Sequence, residues 1–290
     1  MNTSRTVAEL RLAVAQRRSC APSGAERRRV GLVPTMGALH DGHLSLIRRA
    51  RADCDTVVVS LFVNPAQFRP GEDLEAYPRD EARDAALAEA EGVDVLFAPP
   101  EEEIYPPGFD TRVRVGRLTS VLCGGPDRRG PDHFTGVATV VVKLFNMVGP
   151  DVAYFGQKDA QQALVIHRLV RDLDIPVAIE VCPTVREPSG LAVSSRNAYL
   201  DRAERERAAA LSRALAAAET AVAGGERSAD AVLRAARAEL EAAHVQPEYL
   251  ELRSARDLSP ARRVNGATLL AVAARVGETR LIDNTILEAK

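Results

Sequence analysis

From about Val30 onward, short apolar runs rich in β-branched residues alternate with stretches of helical periodicity, and this alternation constrains the fold more than any other feature. Runs at 30–35, 56–63, 93–98, 151–156 and 177–183 read as strands. Segments at 43–52, 79–91, 137–148 and 160–173 read as the helices between them. Strands separated by helices pair in parallel through crossover connections, so the expectation is an α/β fold with a doubly wound parallel sheet. Ligands of such sheets sit at the carboxyl ends of the strands.

After Tyr199 the pattern changes. Two Ala-, Arg- and Glu-rich helical stretches at 203–223 and 228–243 are joined by Gly224-Gly225, and strand-like runs follow at 248–253, 267–276 and 280–286. Apolar residues recur at helical spacing in the Ala-rich stretches, which makes them ordinary helix rather than low-complexity linker. The expected division is therefore a larger α/β domain at 1–185 and a smaller C-terminal α+β domain at 186–290. The first 18 residues mix charges into their apolar positions, as an amphipathic helix does and a signal peptide does not. Residues 21–29 read as a surface loop.

With 290 residues, 46% of them hydrophobic, the chain can bury a sizeable core. Its 38 basic and 40 acidic residues leave a net charge of -2, which points toward neither nucleic acid nor an anionic membrane. No apolar stretch is long enough to span a bilayer. A small-molecule partner follows. Cys20, Cys54, Cys123 and Cys182 lie far apart without a Cys-x-x-Cys pair, which argues against a metal knuckle or a disulfide framework. Reduced thiols and a cytoplasmic location are expected.

The residues with the clearest chemistry leave the first long strand. Pro34-Thr35-Met36-Gly37-Ala38-Leu39-His40-Asp41-Gly42-His43 runs from a strand end into a helix, where free amides and the positive end of the dipole favour an anion. Two of the chain's five histidines fall in this one turn, three positions apart, and both imidazoles can donate to a phosphate. His-x-Gly-His resembles the signature of the nucleotidylyltransferase superfamily, while Gly-x-Gly-x-x-Gly and P-loop patterns are absent.

Three further segments matter in combination. Gly156-Gln157-Lys158-Asp159-Ala160-Gln161-Gln162 offers a close backbone approach and a point charge for a phosphate, although alone it reads equally as a helix cap. Thr184-Val185-Arg186-Glu187, with Gly190-Leu191-Ala192-Val193-Ser194-Ser195-Arg196-Asn197, supplies hydroxyls and a guanidinium for a triphosphate. It resembles the mobile Lys-Met-Ser-Lys-Ser-type segment that accompanies His-x-Gly-His. In Phe62-Val63-Asn64-Pro65-Ala66-Gln67-Phe68, Gln67 can orient a hydroxyl or carboxylate without discharging it, although Asn64-Pro65 alone is a turn signal.

Taken in order, PTMGALHDGH, FVNPAQF, YPR, HFTGVATVVVKLFN, FGQKDAQQ, PTVRE and GLAVSSRN resemble the pantothenate synthetase family from residue 34 to 197. The resemblance implies a Rossmann-like catalytic domain, a smaller domain covering the active site, and a homodimer. It implies a ligase that joins pantoate and β-alanine using ATP, through an enzyme-bound pantoyl adenylate. By position, Met36, Gly37, Ala38, Leu39, His40, Asp41, Gly42 and His43 would contact ATP, with His43 as proton donor. Gly156, Gln157, Lys158, Asp159, Val185, Val193, Ser194, Ser195 and Arg196 would complete the nucleotide site. His40, Lys158, Ser194, Ser195 and Arg196 join His43 as catalytic groups. Gln67 and Gln162 would hold pantoate, with Asn64, Tyr77 and His133 as further substrate contacts. The chain departs from the family at Gly130-Pro131-Asp132, at Ser189 and at Val193.

The implied chemistry suits these residue types. A carboxylate with a reference pKa of roughly 4 is already a nucleophile at neutral pH, so no activated serine or cysteine is required. Alignment and positive donors around departing pyrophosphate are required instead. Mg2+ should accompany ATP, held mainly by phosphates and water, and Asp84 is the one carboxylate considered as its ligand. Two alternatives share the nucleotide motifs: a nucleotidyltransferase acting on a phosphorylated acceptor, and a nucleotide-binding module without turnover. A tRNA ligase would need a basic balance that is absent.

Overall fold

The computed structural model describes residues 1–19, 28–69, 71–72, 74–125 and 128–289. Cys20, most of the expected loop at 21–29, and Asp73 lie outside the described residues. The chain divides into two compact units, Met1–Gly156 with Val165–Cys182, and Gln157–Leu164 with Pro183–Lys290.

The first unit is built on six parallel strands in the order β1-β4-β3-β2-β5-β6. They are β1 (Asn2–Ser4), β2 (Val30–Thr35), β3 (Thr56–Leu61), β4 (Val95–Phe97), β5 (Val152–Gly156) and β6 (Ala178–Cys182). Helices α1 (Val7–Ser19), α2 (Asp41–Asp53), α3 (Glu81–Ala90), α4 (Glu101–Ile104), α5 (Gly130–Val148) and α6 (Ala160–Asp172) connect them. Strand parity sorts the core into two layers. Leu32, Val58, Val95, Phe97, Ala153 and Phe155 pack with α1, α5 and α6, whereas Val33, Val57, Val59, Leu96 and Tyr154 pack with α2 and α3. Burial on both faces explains why these strands are almost wholly apolar. From β2 the chain steps outward to β3 and β4, then returns to lie on the other side as β5 and β6. The order therefore reverses between β2 and β5, and the crevice beyond their carboxyl ends is the expected ligand position.

The short strand β1 is a finding that the sequence did not suggest. Asn2–Ser4 is polar and three residues long, so it carries no apolar alternation, yet it pairs in parallel with β4 from Asn2↔Val95 to Ser4↔Phe97. The expected N-terminal helix accordingly begins only at Val7.

In the second unit, α7 (Arg202–Ala208), α8 (Ala210–Ala223) and α9 (Ala229–Ala242) accompany an antiparallel sheet of β7 (Pro247–Ser254), β8 (Thr268–Val276) and β9 (Thr279–Leu287). The expected single helix at 203–223 is interrupted at Ala209, and Asp201 with Glu204 forms a complete capping box ahead of α7. Leu211, Leu215, Val232, Leu240, Leu270 and Val272 form its core.

Candidate functional site

The segment between β2 and α2 is held in a backbone conformation that few sequences tolerate. Gly37 and Ala38 take positive φ values of 89° and 51°. One buried carboxylate secures them, because Asp84 on α3, 1% exposed, accepts from Ala38 N at 2.8 Å and Leu39 N at 2.7 Å. Arg83 adds a bond to Leu39 O at 3.2 Å. Each oxygen of Asp84 is thus engaged by one backbone amide. Its work is to fix the loop.

α2 then begins at Asp41, preceded by His40 at the N-cap position, whose side chain makes no capping bond. The rings of His40 and His43 stack with centroids 4.0 Å apart and an interplanar angle of 21°. Gly42 is what permits this. A Cβ at residue 42 would meet His40 Cε1 at 2.9 Å and Nδ1 at 3.0 Å. The glycine of His-x-Gly-His is thus a matter of space rather than of backbone freedom. A cavity of about 610 Å³ opens beside Met36 and Gly37, with Phe62, Arg79 and Asp84 also in its lining.

The second cluster of the first unit follows β3. Asn64, 1% exposed, accepts from Ala66 N at 3.2 Å and from the Tyr105 hydroxyl at 2.8 Å. Its amide nitrogen donates to Gln67 Oε1 at 2.9 Å and Gly136 O at 3.2 Å. These four bonds use the donors and acceptor of the side chain within the first unit. The bond to Oε1 settles which way the Gln67 amide points and leaves Nε2 as its donor. His133 Nδ1 lies 2.7 Å from Gln67 O, bracing the same residue. Burial pushes the Tyr105 hydroxyl up to about 12, so it stays a neutral donor to Asn64. Tyr77 is buried edge-on against Phe68, with centroids 5.9 Å apart.

In the second unit, Gln157–Asp159 forms a single 3-10 turn ahead of α6. Asn284 of β9, 5% exposed, donates to Gln157 O at 3.0 Å and Lys158 O at 2.8 Å, and accepts from Gln157 Nε2 at 2.9 Å. Nothing in the sequence marked Asn284, because its partners are more than a hundred positions away. Gly156, at the end of β5 in the first unit, has no described atom within 4 Å of where a Cβ would stand. Packing does not require that glycine.

Val185 and Val193 are brought together by Val193 N donating to Val185 O at 3.0 Å, with a turn at Gly190, φ 89°, closing the excursion. Ser189 sits in that turn, accepting from Leu191 N at 3.4 Å. Ser194 caps the 3-10 turn Ser195–Tyr199 by accepting from Arg196 N. Arg205 donates to both oxygens of Glu187, at 3.0 and 3.1 Å, and Asn197 donates to Glu187 Oε1 at 2.9 Å. Arg186 makes a two-pronged pair with buried Asp283, at 2.6 and 3.0 Å. The segment is pinned along its length by ion pairs and backbone bonds.

Among the described residues no group of three or more His, Cys, Asp and Glu side chains is placed to hold a metal ion. Burial raises the Cys54 and Cys182 thiols above their ordinary range, which keeps them protonated and inert. No helix among the described residues is long and apolar enough to cross a membrane.

The family model described as Pantoate-beta-alanine ligase matches residues 2–286. A pantothenate synthetase of Roseiflexus castenholzii is 54% identical over 263 residues, covering 90% of this chain and 93% of that protein. The crystal structure of pantothenate synthetase from Thermus thermophilus superposes with a TM-score of 0.90 at 48% identity, covering 99% and 100% of the two chains. The pantoate-beta-alanine ligase of Francisella tularensis, solved with β-γ ATP and β-alanine, has a TM-score of 0.78 at 34% identity and covers 99% and 97%.

Proposed function

Because the chain belongs to the pantoate-beta-alanine ligase family, and so condenses pantoate with β-alanine to pantothenate using ATP, we propose that the reaction runs through a pantoyl adenylate formed beyond the carboxyl end of β2. The observation that carries this reading is the stacked His40–His43 pair at the start of α2, at the point where the strand order reverses.

The pantoate carboxylate attacks the α-phosphorus of ATP; a C–O–P bond forms and the bond to pyrophosphate breaks. Negative charge grows on the bridging oxygen and the departing pyrophosphate, where positive and N–H donors lower the barrier most. His40 and His43, with the amides of Met36 to His43, act on the phosphates, and His43 donates the proton. Lys158, Ser194, Ser195 and Arg196 neutralise the pyrophosphate, while Gly156, Gln157, Asp159, Val185 and Val193 complete the nucleotide contacts; these roles rest on the motif resemblance. Gln67, its amide aimed by Asn64, donates from Nε2 to pantoate, and Gln162 provides a second amide. His133 supports Gln67, and Tyr77 is a further substrate contact by the motif resemblance. In the second step the neutral amine of β-alanine attacks the acyl carbon, the C–N bond forms, the acyl C–O bond breaks so that AMP departs with its phosphate anionic, and the surplus N–H proton passes to solvent.

Mg2+ enters with ATP. It would be held mainly by phosphate oxygens and water, with at most one or two carboxylates. A cytoplasmic location follows from the use of ATP and from the inert buried thiols. A homodimer is the expected assembly, which light scattering would test. For the residue roles, the test is pantoate-dependent exchange of pyrophosphate into ATP without β-alanine. His43→Ala should abolish exchange and Lys158→Ala should leave only a small measurable rate, while the fold, read by circular dichroism, is intact. Full exchange in either variant removes that residue from the mechanism.

A further inference from the structure

Lys158 is a long, flexible side chain, so its usefulness on a phosphate depends on where its backbone is held. That backbone is a single 3-10 turn, and one residue of β9 grips it from outside. We infer that Asn284 is a positioning residue for adenylate formation, setting the direction in which Lys158 leaves the chain.

The argument is one of complementarity. The carboxamide of Asn284 is planar, with two donors and one acceptor oxygen, and all three functions are used on two successive residues. Its nitrogen bridges the carbonyls of Gln157 and Lys158, which fixes the peptide plane between them. Its oxygen takes the Gln157 side chain and keeps that amide from competing for the carbonyls. Asn284 is in turn oriented by its neighbour, since Asp283 Oδ1 accepts from Asn284 N at 2.8 Å while the same carboxylate holds Arg186. Residues 283 and 284 therefore anchor both the Lys158 turn and the start of the Val185–Val193 excursion within one unit. No other side chain of this size offers the set: aspartate is isosteric but would oppose two carbonyl oxygens with a third, and leucine offers nothing to either.

The inference rests on the proposed role of Lys158, and the test separates the two. Pantoate-dependent pyrophosphate exchange is measured for Asn284→Asp, Lys158→Ala and the double variant, with thermal melting recorded for each. Misplacement of a reacting group by about 1 Å lowers rates by about 100-fold. The expected result is a fall of that order in kcat for Asn284→Asp, an unchanged KM for pantoate, and no further fall when Asn284→Asp is added to Lys158→Ala. Should Asn284→Asp fail to fold, Asn284→Ser, whose hydroxyl still reaches one carbonyl, is read in its place and should fall less. Full activity of the Asn284 variant, or an effect that multiplies with that of Lys158→Ala, overturns the positioning role while leaving Lys158 in the mechanism. Full activity of Lys158→Ala overturns the reading of Lys158, and the inference falls with it.

Discussion

Gly136 offers a sharp test of how the fold aims the Gln67 amide, proposed to hold pantoate. It lies inside α5, where alanine would ordinarily stabilise a helix by about 1 kcal/mol. Yet a Cβ there would stand 2.1 Å from Ala66 O, 2.5 Å from Ala66 C and 3.0 Å from Gln67 N. Close carbon–oxygen contacts run at roughly 3.3 Å, so the turn at Ala66 and Gln67 must retreat by roughly 1.2 Å. The obstacle is backbone, which no rotamer change relieves. Overpacking of this kind costs about 1–3 kcal/mol, enough to outweigh the helix gain and leave a net loss of about 1 kcal/mol. For a chain of this size that lowers Tm by about 2–4 °C. The retreat also breaks the bond from Asn64 Nδ2 to Gly136 O and moves Gln67, so kcat/KM for pantoate should fall by about 10–100-fold. Calorimetric melting and steady-state kinetics of Gly136→Ala read the two effects separately. A variant with unchanged Tm and unchanged kcat/KM would refute the claim that α5 presses directly on the Gln67 turn.

Three other substitutions probe the first unit. Gly42→Ala should leave Tm nearly unchanged, because the obstructing His40 ring can swing away, but it should reduce pyrophosphate exchange by displacing that ring; unaltered exchange would sink the spatial account of the glycine. Asp84→Ala strands the buried amides of Ala38 and Leu39 at about 1–3 kcal/mol each, so urea unfolding should show a markedly lower midpoint, and a midpoint equal to wild type would contradict the clamp. At the surface, hydrogen bonding from Arg5 holds the Glu81 carboxyl below its ordinary value of 4.5. Such a pair stabilises the fold above that value and loses its effect as pH falls through the lowered one. Both side chains are half exposed, which limits the contribution to under about 1 kcal/mol. Acid unfolding curves of wild type and Glu81→Gln should therefore differ near neutrality and converge in strong acid; a constant offset would disprove the linkage.

The parallel sheet was legible because strands buried on both faces leave continuous apolar runs, and the boundaries of β2 at Val30 and Thr35 emerge from that pattern alone. β1 was not, since its stability comes from backbone pairing with β4 rather than from its own side chains. At the site, the histidines, Gln67 and Lys158 were visible as residue types in suggestive turns. Asn64 was visible too, but its partners were not: only the fold shows that these bonds end within the protein. Asp84 drew attention as a charge, whereas its partners are main-chain amides 46 and 45 positions earlier. Asn284 left no signal, because a contact across 127 and 126 residues has no periodicity to betray it.

The way the chain divides bears on how the protein can be taken apart. It passes from one unit to the other after Gly156, returns after Leu164 and leaves again after Cys182. Ending the polypeptide at residue 182 would preserve every strand of the parallel sheet but orphan the eight-residue insert at 157–164, whose carbonyls at Gln157 and Lys158 would lose the amide of Asn284. Dissection by a single scission is thus foreclosed by connectivity, and a study of the parallel-sheet unit alone would have to splice Gly156 to Val165 with a designed linker.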